Sequence, residues 1–165
     1  MKIREFIPAD AERIVSWISN EREFRLWCAD RYEHFPISAD DIIEQYAESQ
    51  KSGRFFPYTA EDEKGSPIGH FILRYPDDDM SVLRLGFVIV DNSKRGKGIG
   101  CELVKLAKIY ASEVLHAHKL TLGVFENNIA ARKCYASSGF VPIGSSGQLT
   151  FFNEKWDCIE LELNL

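Results

Sequence analysis

Several features that would identify a class of protein are absent from this sequence. No run of residues is long and apolar enough to span a bilayer, and residues 1–5 lack the apolar segment of a secretory signal. The four cysteines form no Cys-x-x-Cys pair, so neither a zinc site nor a redox motif is indicated. Positive charge is scarce, with 20 basic against 25 acidic residues and a net charge of −5.

These absences exclude whole classes of function. A deficit of positive charge argues against non-specific nucleic-acid binding, which depends on an excess of it. Thiols outside any pairing motif fit a reducing compartment. We therefore expect a cytoplasmic protein with no metal, no nucleic-acid partner and no contact with a membrane. At 165 residues and 45% apolar content, the chain has the size and composition of one folded domain, residues 1–165.

The hydrophobic pattern predicts both strands and helices. Strands are expected at 2–7, 55–61, 67–75, 83–90, 119–125, 140–143 and 158–163. Helices are expected to begin near residues 8, 20, 38, 99 and 128. In the fourth helix one apolar stripe is expected, at Ile99, Leu103, Leu106, Tyr110 and Val114. The order of elements predicts a single α/β domain with a mixed sheet and helices on both faces.

A glycine-rich run separates the apolar strand at 83–90 from the helix that follows it. Its sequence is Arg95-Gly96-Lys97-Gly98-Ile99-Gly100. Glycine lets a backbone approach a phosphate closely, and the unpaired N–H groups of a first helical turn can bind one. No Ser or Thr follows Lys97, which excludes a P-loop, and the glycine spacing does not fit a dinucleotide fingerprint. The run therefore predicts a phosphate-bearing cofactor of another kind.

Two motifs in this chain resemble those of a known superfamily. Arg95-x-x-Gly98-x-Gly100 resembles the acetyl-coenzyme A signature of the GNAT N-acetyltransferases. One helix and one strand later, the chain resembles the same family at Asn128-Ile129-Ala130-Ala131, Tyr135 and Gly139-Phe140. The resemblance covers nearly the whole chain and is closest over 83–140. It implies an acetyl-CoA-dependent N-acetyltransferase with an amine acceptor. It also implies a mostly antiparallel sheet of six to seven strands, splayed between the fourth and fifth.

The resemblance also implies which residues bind the cofactor. Backbone N–H groups and basic side chains of the glycine run would hold the pyrophosphate: Arg95, Gly96, Lys97, Gly98, Ile99 and Gly100. A bulge would open a gap beside the preceding strand. There the backbone of Val88, Ile89 and Val90 would bind the pantetheine arm like an added strand. Asn128 would bond the pantetheine, cap its own helix, or do both. A solvated glycine turn and an ordinary buried strand remain the alternative interpretations.

Tyr135 is the catalytic candidate, because the resemblance places it at the family's general-acid position. Acetyl transfer from a thioester releases a thiolate, which a phenol can protonate. The alternative is a helix tyrosine that only packs on the sheet. Cys134 precedes it, but neighbours in a helix point about 100° apart, so we expect direct transfer without an acetyl-cysteine.

The general base is left unassigned by the sequence. Many family members have a glutamate early in the splayed strand, where this chain has Arg84. An arginine stays protonated and cannot act as a base, although Arg84 would be able to bind an anionic group on the acceptor. Glu126 and His70 are possible substitutes, each with a structural alternative: a solvated loop acid and a half-buried sheet histidine.

The acceptor is the part that the sequence describes least. The resemblance implies a pocket formed by the first helices and the last strands, with the rings of Phe24, Trp27, Tyr32, His34, Phe35 and Trp156. The acids Asp30, Glu33 and those at 77–79 would attract an ammonium group, or simply be solvated. Small amines and protein amines both remain open. The alternative function is a non-catalytic module that senses acetyl-CoA. A homodimer paired through the last strand, 157–165, is a further possibility.

Overall fold

The elements of the structure follow the order expected from the sequence. The computed structural model describes residues 1–165. Seven strands are present: β1 (Lys2–Glu5), β2 (Phe55–Glu61), β3 (Pro67–Arg74), β4 (Val82–Val90), β5 (Lys119–Phe125), β6 (Val141–Phe151) and β7 (Glu154–Asn164). Five α-helices accompany them: α1 (Asp10–Ser16), α2 (Glu21–Cys28), α3 (Ala39–Gln50), α4 (Ile99–Glu113) and α5 (Ile129–Ser137). None of these helices has the length and apolar content needed to cross a membrane.

The strands form one mixed sheet in the order β1-β2-β3-β4-β5-β7-β6. Every neighbouring pair is antiparallel except β4 and β5, which run parallel. Side chains of β3 alternate between the two faces: Phe71 and Leu73 enter one apolar core and Ile72 enters another. The first core packs α4 and α5 on the sheet, through Leu103 among others. The second packs α1, α2 and α3 on the opposite face, through Ile42 among others. The predicted fold class is confirmed.

The parallel pair separates soon after it begins. Pairing runs from Val82 opposite Lys119 to Arg84 opposite Thr121 and then stops. On the other side of β4, the register against β3 shifts by one residue, and Phe87 has a φ of +49°. A bulge of this kind bends a strand and increases its twist. The end of β4 therefore diverges from β5, which confirms the predicted splay.

The closing hairpin is longer than the sequence pattern indicated. The expected strands at 140–143 and 158–163 are the ends of two eleven-residue strands, β6 and β7. Register shifts interrupt β6 close to Gly144 and Gly147, whose φ values are +153° and +109°. Because these glycines and shifts break the alternation of apolar and polar residues, the strand was not recognisable from its sequence.

The position of β7 corrects the expectation about dimer formation. This strand lies between β5 and β6 and pairs with both along its length. It has no free edge in this sheet, so the possibility that 157–165 pairs across a two-fold axis loses its basis, while a homodimer itself stays a prediction. The edge left open on this side of the sheet belongs to β6.

Candidate active site

The glycine run forms an open loop at the beginning of α4. Gly96 and Gly98 have φ values of +76° and +80°, which glycine adopts without steric strain. Gly98 is the N-cap residue of α4, and no side chain caps this helix. A Cβ added at either glycine would meet no atom within 4 Å. The first turn is therefore accessible, and its N–H groups and the helix dipole favour an anion there.

Arg95 fastens this loop to its surroundings. Its Nη2 donates to the carbonyl of Trp17 at 2.7 Å and its Nε to the carbonyl of Val90 at 3.3 Å. Its Nη1 lies 3.0 Å from a carboxylate oxygen of Glu23. The guanidinium thus ties the loop to the end of β4 and to α2, with its charge balanced by Glu23. Lys97, by contrast, has an exposed side chain.

A first cavity, of about 520 Å³, extends from the loop along the splayed end of β4. It brings together most of the residues expected to form the site: Val88, Ile89, Val90, Arg95, Gly96, Gly98, Gly100, Asn128 and Tyr135. Lys97 and Ile99 lie outside its lining. Since β5 does not pair with this part of β4, the cavity gives a ligand access to an unpaired strand edge.

The helix α5 brings Asn128 and Tyr135 to the opposite wall. The Asn128 Oδ1 accepts the N–H of Ala131 at 3.3 Å, which makes it the N-cap of this helix. Two turns after Asn128, Tyr135 is 8% exposed and packs edge-on against Phe140, with ring centroids 5.8 Å apart. The Tyr135 hydroxyl is protonated at neutral pH, because the usual pKa of a phenol is about 10 and burial raises it further. A protonated hydroxyl can act as a proton donor.

Cys134 also lines the first cavity, but as a thiol. Burial, reinforced by the neighbouring thiol of Cys101, raises the pKa of Cys134 to about 12. Because the thiolate is the reactive form of cysteine, this side chain is a poor nucleophile at neutral pH.

A second cavity, of about 670 Å³, shares Val88, Asn128 and Tyr135 with the first. Its lining comes from α2, α3, α5 and the six strands β2 to β7. Arg84 lines it and donates two hydrogen bonds of 2.8 Å to the two carboxylate oxygens of Glu160. Burial of Glu160 acts to raise its pKa, but Arg84 outweighs this effect and holds the pKa below its usual value. Glu160 is therefore a weak base.

Gly123 makes room for this ion pair. It lies directly opposite Glu160 in the register of β5 and β7. A Cβ at Gly123 would be 2.8 Å from the Arg84 Nη2 and 3.2 Å from the Glu160 Oε1. Both distances are shorter than the van der Waals contact of such atoms. The absence of a side chain here therefore permits the observed geometry.

Neither residue considered as a substitute base lines either of these two cavities. His70 is fully buried, and its Nε2 is 2.8 Å from the hydroxyl of Tyr46. Burial lowers the pKa of His70 to about 3, so it is a neutral core residue. Glu126 is exposed, directly after β5 at the beginning of the connection to α5. The structure thus brings no strong base to the junction of the two cavities.

Most of the rings expected around the acceptor lie elsewhere. Trp27 lines both cavities. The other rings lie outside both linings: Phe24, Tyr32, His34, Phe35 and Trp156. Among the acids, Asp30 lines the second cavity, whereas Glu33 and residues 77–79 do not. Asp78, for example, pairs with Arg54 at 2.8 Å.

Sequence reasoning missed several residues of the second cavity, among them Arg31, Arg74, Gly123 and Glu160. They come from four different elements or loops, and each is an ordinary strand or loop residue in its local pattern. Only the pairing register of β3 with β4 and of β5 with β7 brings them together. No spacing signal along the chain identifies them.

Comparison with known proteins gives a consistent result. Residues 20–140 match the model of the acetyltransferase (GNAT) family. A protein of Bacillus subtilis (strain 168), Probable N-acetyltransferase YjcK, is 25% identical over 169 residues, covering 94% of this chain and 88% of that protein.

Two solved structures show the same fold. The spermidine N-acetyltransferase of Vibrio cholerae, in complex with CoA and spermine, has a TM-score of 0.83 and 23% identity, covering 99% of this chain and 94% of its own. The ribosomal-protein-S5-alanine acetyltransferase of Vibrio fischeri has a TM-score of 0.75 and 19% identity, covering 98% of this chain and 91% of its own. These two proteins act on different kinds of amine, so the shared fold does not by itself select an acceptor.

Proposed function

The chain belongs to the acetyltransferase (GNAT) family and is an N-acetyltransferase, and from this premise we propose that it transfers the acetyl group of acetyl-CoA directly to a primary amine. The observation that carries the proposal is the first cavity. It connects an uncapped helix N-terminus, an unpaired strand edge and a protonated tyrosine in one cleft.

The residues at and beside the first cavity offer groups for the pyrophosphate, the pantetheine arm and the thioester of acetyl-CoA. The N–H groups at Gly98, Ile99 and Gly100 would bind the pyrophosphate, with Lys97 adding positive charge from the surface. Arg95 would contribute by holding the loop in its open conformation. The backbone from Val88 to Val90 would bind the pantetheine arm in the place that a neighbouring strand would otherwise take. Asn128 both caps α5 and lines the cleft.

Tyr135 is the proposed proton donor to the sulfur. When a neutral amine attacks the thioester carbonyl carbon, a C–N bond forms and the C–S bond breaks with its electron pair on sulfur. We propose that the Tyr135 hydroxyl donates its proton to that sulfur, while the attacking nitrogen loses one proton to solvent. The phenolate of Tyr135 then regains a proton from solvent, which completes the balance. A backbone N–H of the β4 edge would polarise the carbonyl, and one such donor is worth about 3–4 kcal/mol. Because no strong base lines the junction, the amine enters this step already neutral.

Direct transfer is supported by the state of Cys134. Its thiol is protonated at neutral pH because burial raises its pKa to about 12. We expect sequential kinetics, and no acetylated protein by mass spectrometry after incubation with acetyl-CoA alone. Parallel double-reciprocal plots together with an acetyl group on Cys134 would contradict direct transfer.

Calorimetric titration with acetyl-CoA, beside NAD and ATP, tests the proposal as a whole. We expect binding of acetyl-CoA alone, with a dissociation constant in the range of about 1 μM to 1 mM that is usual for enzyme substrates. Release of free thiol in the presence of an amine would then demonstrate transfer. Equal binding of all three nucleotides, or none, would contradict the assignment of the cleft.

A further inference from the structure

The second cavity contains an unusual concentration of arginines. Arg31, Arg74 and Arg84 line it from the loop after α2, from the end of β3 and from β4. Arg74 and Arg84 are directly opposite each other in the register of β3 and β4. The carboxylates in the lining are Asp30, which is exposed, and Glu160. Three guanidinium groups thus share the cavity with two carboxylates.

One of the three positive charges is already balanced. Arg84 and Glu160 form a bidentate pair with two hydrogen bonds of 2.8 Å, which is the geometry of a strong charge-assisted interaction. The idea that Arg84 itself binds an anionic acceptor group therefore loses support, because its donors are directed at Glu160.

Arg74 is different, because no carboxylate lies within 4.0 Å of its guanidinium. Its side chain is partly buried at the end of β3. Burial lowers its pKa, the charges of Arg84 and Arg31 act in the same direction, and the charge of Glu160 opposes them without reversing the shift. A partly desolvated cation beside two like charges is unfavourable unless an anion balances it.

We propose that the acceptor is a primary amine that also carries an oxyanion, and that Arg74, with Arg31 nearer the solvent, binds this oxyanion. The inference rests on the proposed function, since it takes the second cavity as the acceptor site. The amine end lies where the cavities meet, at Tyr135 and Val88, and the anionic end lies against Arg74. Carboxylates and phosphorus oxyanions both match the planar fork of donors on a guanidinium.

The same charges disfavour polyamines as acceptors. A polyamine would place its additional ammonium groups in a cavity with three arginines and only one carboxylate, Asp30, that is not already paired. Like charges in a partly desolvated site repel each other strongly. The chain therefore differs in expected specificity from the Vibrio cholerae protein whose structure contains spermine.

Thiol release at saturating acetyl-CoA tests this inference with matched acceptors. The panel contains the common α-amino acids and short ω-amino acids, each compared with its own amide. It also contains 2-aminoethylphosphonate, compared with ethanolamine, and spermidine. We expect at least one anionic amine to exceed its uncharged counterpart in kcat/KM by about 10- to 100-fold, the value of one charge-assisted hydrogen bond. The carboxylate and phosphonate arms distinguish the two kinds of oxyanion.

The variant Arg74→Gln identifies the residue responsible. We expect it to raise KM for the anionic acceptor and to bring the ratio between the anionic amine and its uncharged counterpart close to one. Its dissociation constant for acetyl-CoA should not change, since Arg74 is outside the first cavity. Arg74→Lys should restore part of the preference. Arg13→Gln, at an exposed position of α1, is the matched control and should behave like the unmodified protein.

The outcomes separate the two proposals. Two results would overturn the inference while the N-acetyltransferase assignment stands. In the first, acetyl-CoA binds but the amides, ethanolamine or spermidine are acetylated as well as the anionic amines. In the second, acetyl-CoA binds but no anionic amine of the panel is acetylated. An unchanged preference in Arg74→Gln would also overturn the role of Arg74. If acetyl-CoA does not bind at all, the failure belongs to the proposed function.

Discussion

At the scale of single residues, the environment of Tyr135 determines how it can take part in the chemistry. The side chain is largely buried yet lines both cavities. The phenol is protonated at neutral pH, as its usual pKa of about 10 requires and as burial, which raises that pKa, ensures; a donor to a departing thiolate must be in this state. The adjacent Cys134 is also kept protonated, which removes it as a competing nucleophile.

Removal of the Tyr135 hydroxyl should therefore slow the reaction without weakening co-substrate binding. For Tyr135→Phe we expect kcat to fall by about 10²- to 10⁴-fold, the usual contribution of a positioned general acid. The dissociation constant of acetyl-CoA, measured by calorimetry, should change only slightly, because the ring and its packing against Phe140 remain. Tyr75→Phe, which removes a hydroxyl outside both cavities, is the control. A Tyr135→Phe enzyme with full kcat would show that another donor protonates the sulfur.

At the scale of elements, the junction of β4 and α4 creates the cleft. The bulge at Phe87 turns the end of β4 away from β5. The glycine loop then begins α4 without a side-chain cap. Two local interruptions of regular structure thus expose a strand edge and a helix N-terminus to the same cavity.

The role of this junction in binding acetyl-CoA can be tested by comparing substitutions at Gly98 and at Gly65. Gly98 and Gly65 have nearly the same φ, +80° and +78°. Alanine at either site should therefore cost a similar stability, on the order of 1 kcal/mol. Only Gly98 lines the cleft, so only Gly98→Ala should weaken acetyl-CoA binding, by at least about 10-fold. Urea unfolding and calorimetric titration measure the two effects. Equal weakening in both variants would mean that lost stability, and not the added methyl group, is responsible.

At the scale of the whole molecule, a buried histidine links stability to pH. His70 lies in the middle of the sheet, 2.8 Å from the hydroxyl of Tyr46 on α3. Burial lowers its pKa to about 3 in the folded protein, whereas an unfolded histidine has a pKa of about 6.5. Between these values only the unfolded chain binds the proton. The free energy of unfolding is therefore expected to fall as the pH decreases from about 6.5 towards 3.

The variant His70→Gln should remove this dependence. In the unmodified protein, the free energy of unfolding should decrease by about 2 kcal/mol between pH 7.5 and pH 5 because of His70. A glutamine can still bond to Tyr46 but does not titrate, so its unfolding free energy should vary less with pH over that interval. His34→Gln, at an exposed position, should keep the original dependence. An equal pH dependence in His70→Gln and the unmodified protein would show that His70 is not the cause.

Much of this protein was determined by its sequence alone, because the signals involved are local. The glycine run from 95 to 100, the N-cap at Asn128 and the position of Tyr135 seven residues later are read from spacing along the chain. Through the family resemblance that they carry, they predicted the splay and most residues of the first cavity, while the hydrophobic pattern predicted the order of elements. Even so, the expected stripe of α4 was shifted. Val114 is exposed, while Ala107 and Ala111 are buried, because small residues let the helix approach the sheet closely.

The second cavity was decided by the tertiary structure. Arg74, Arg84, Gly123 and Glu160 belong to four strands, and they meet only through pairing registers that connect residues far apart in the chain. A shift of one residue in either pairing would turn these side chains to the other face. The same holds for β6, whose bulges conceal its period of two. Local patterns therefore specified where the co-substrate cleft lies, whereas the charges expected to select the acceptor depend on contacts that form only when the sheet has assembled.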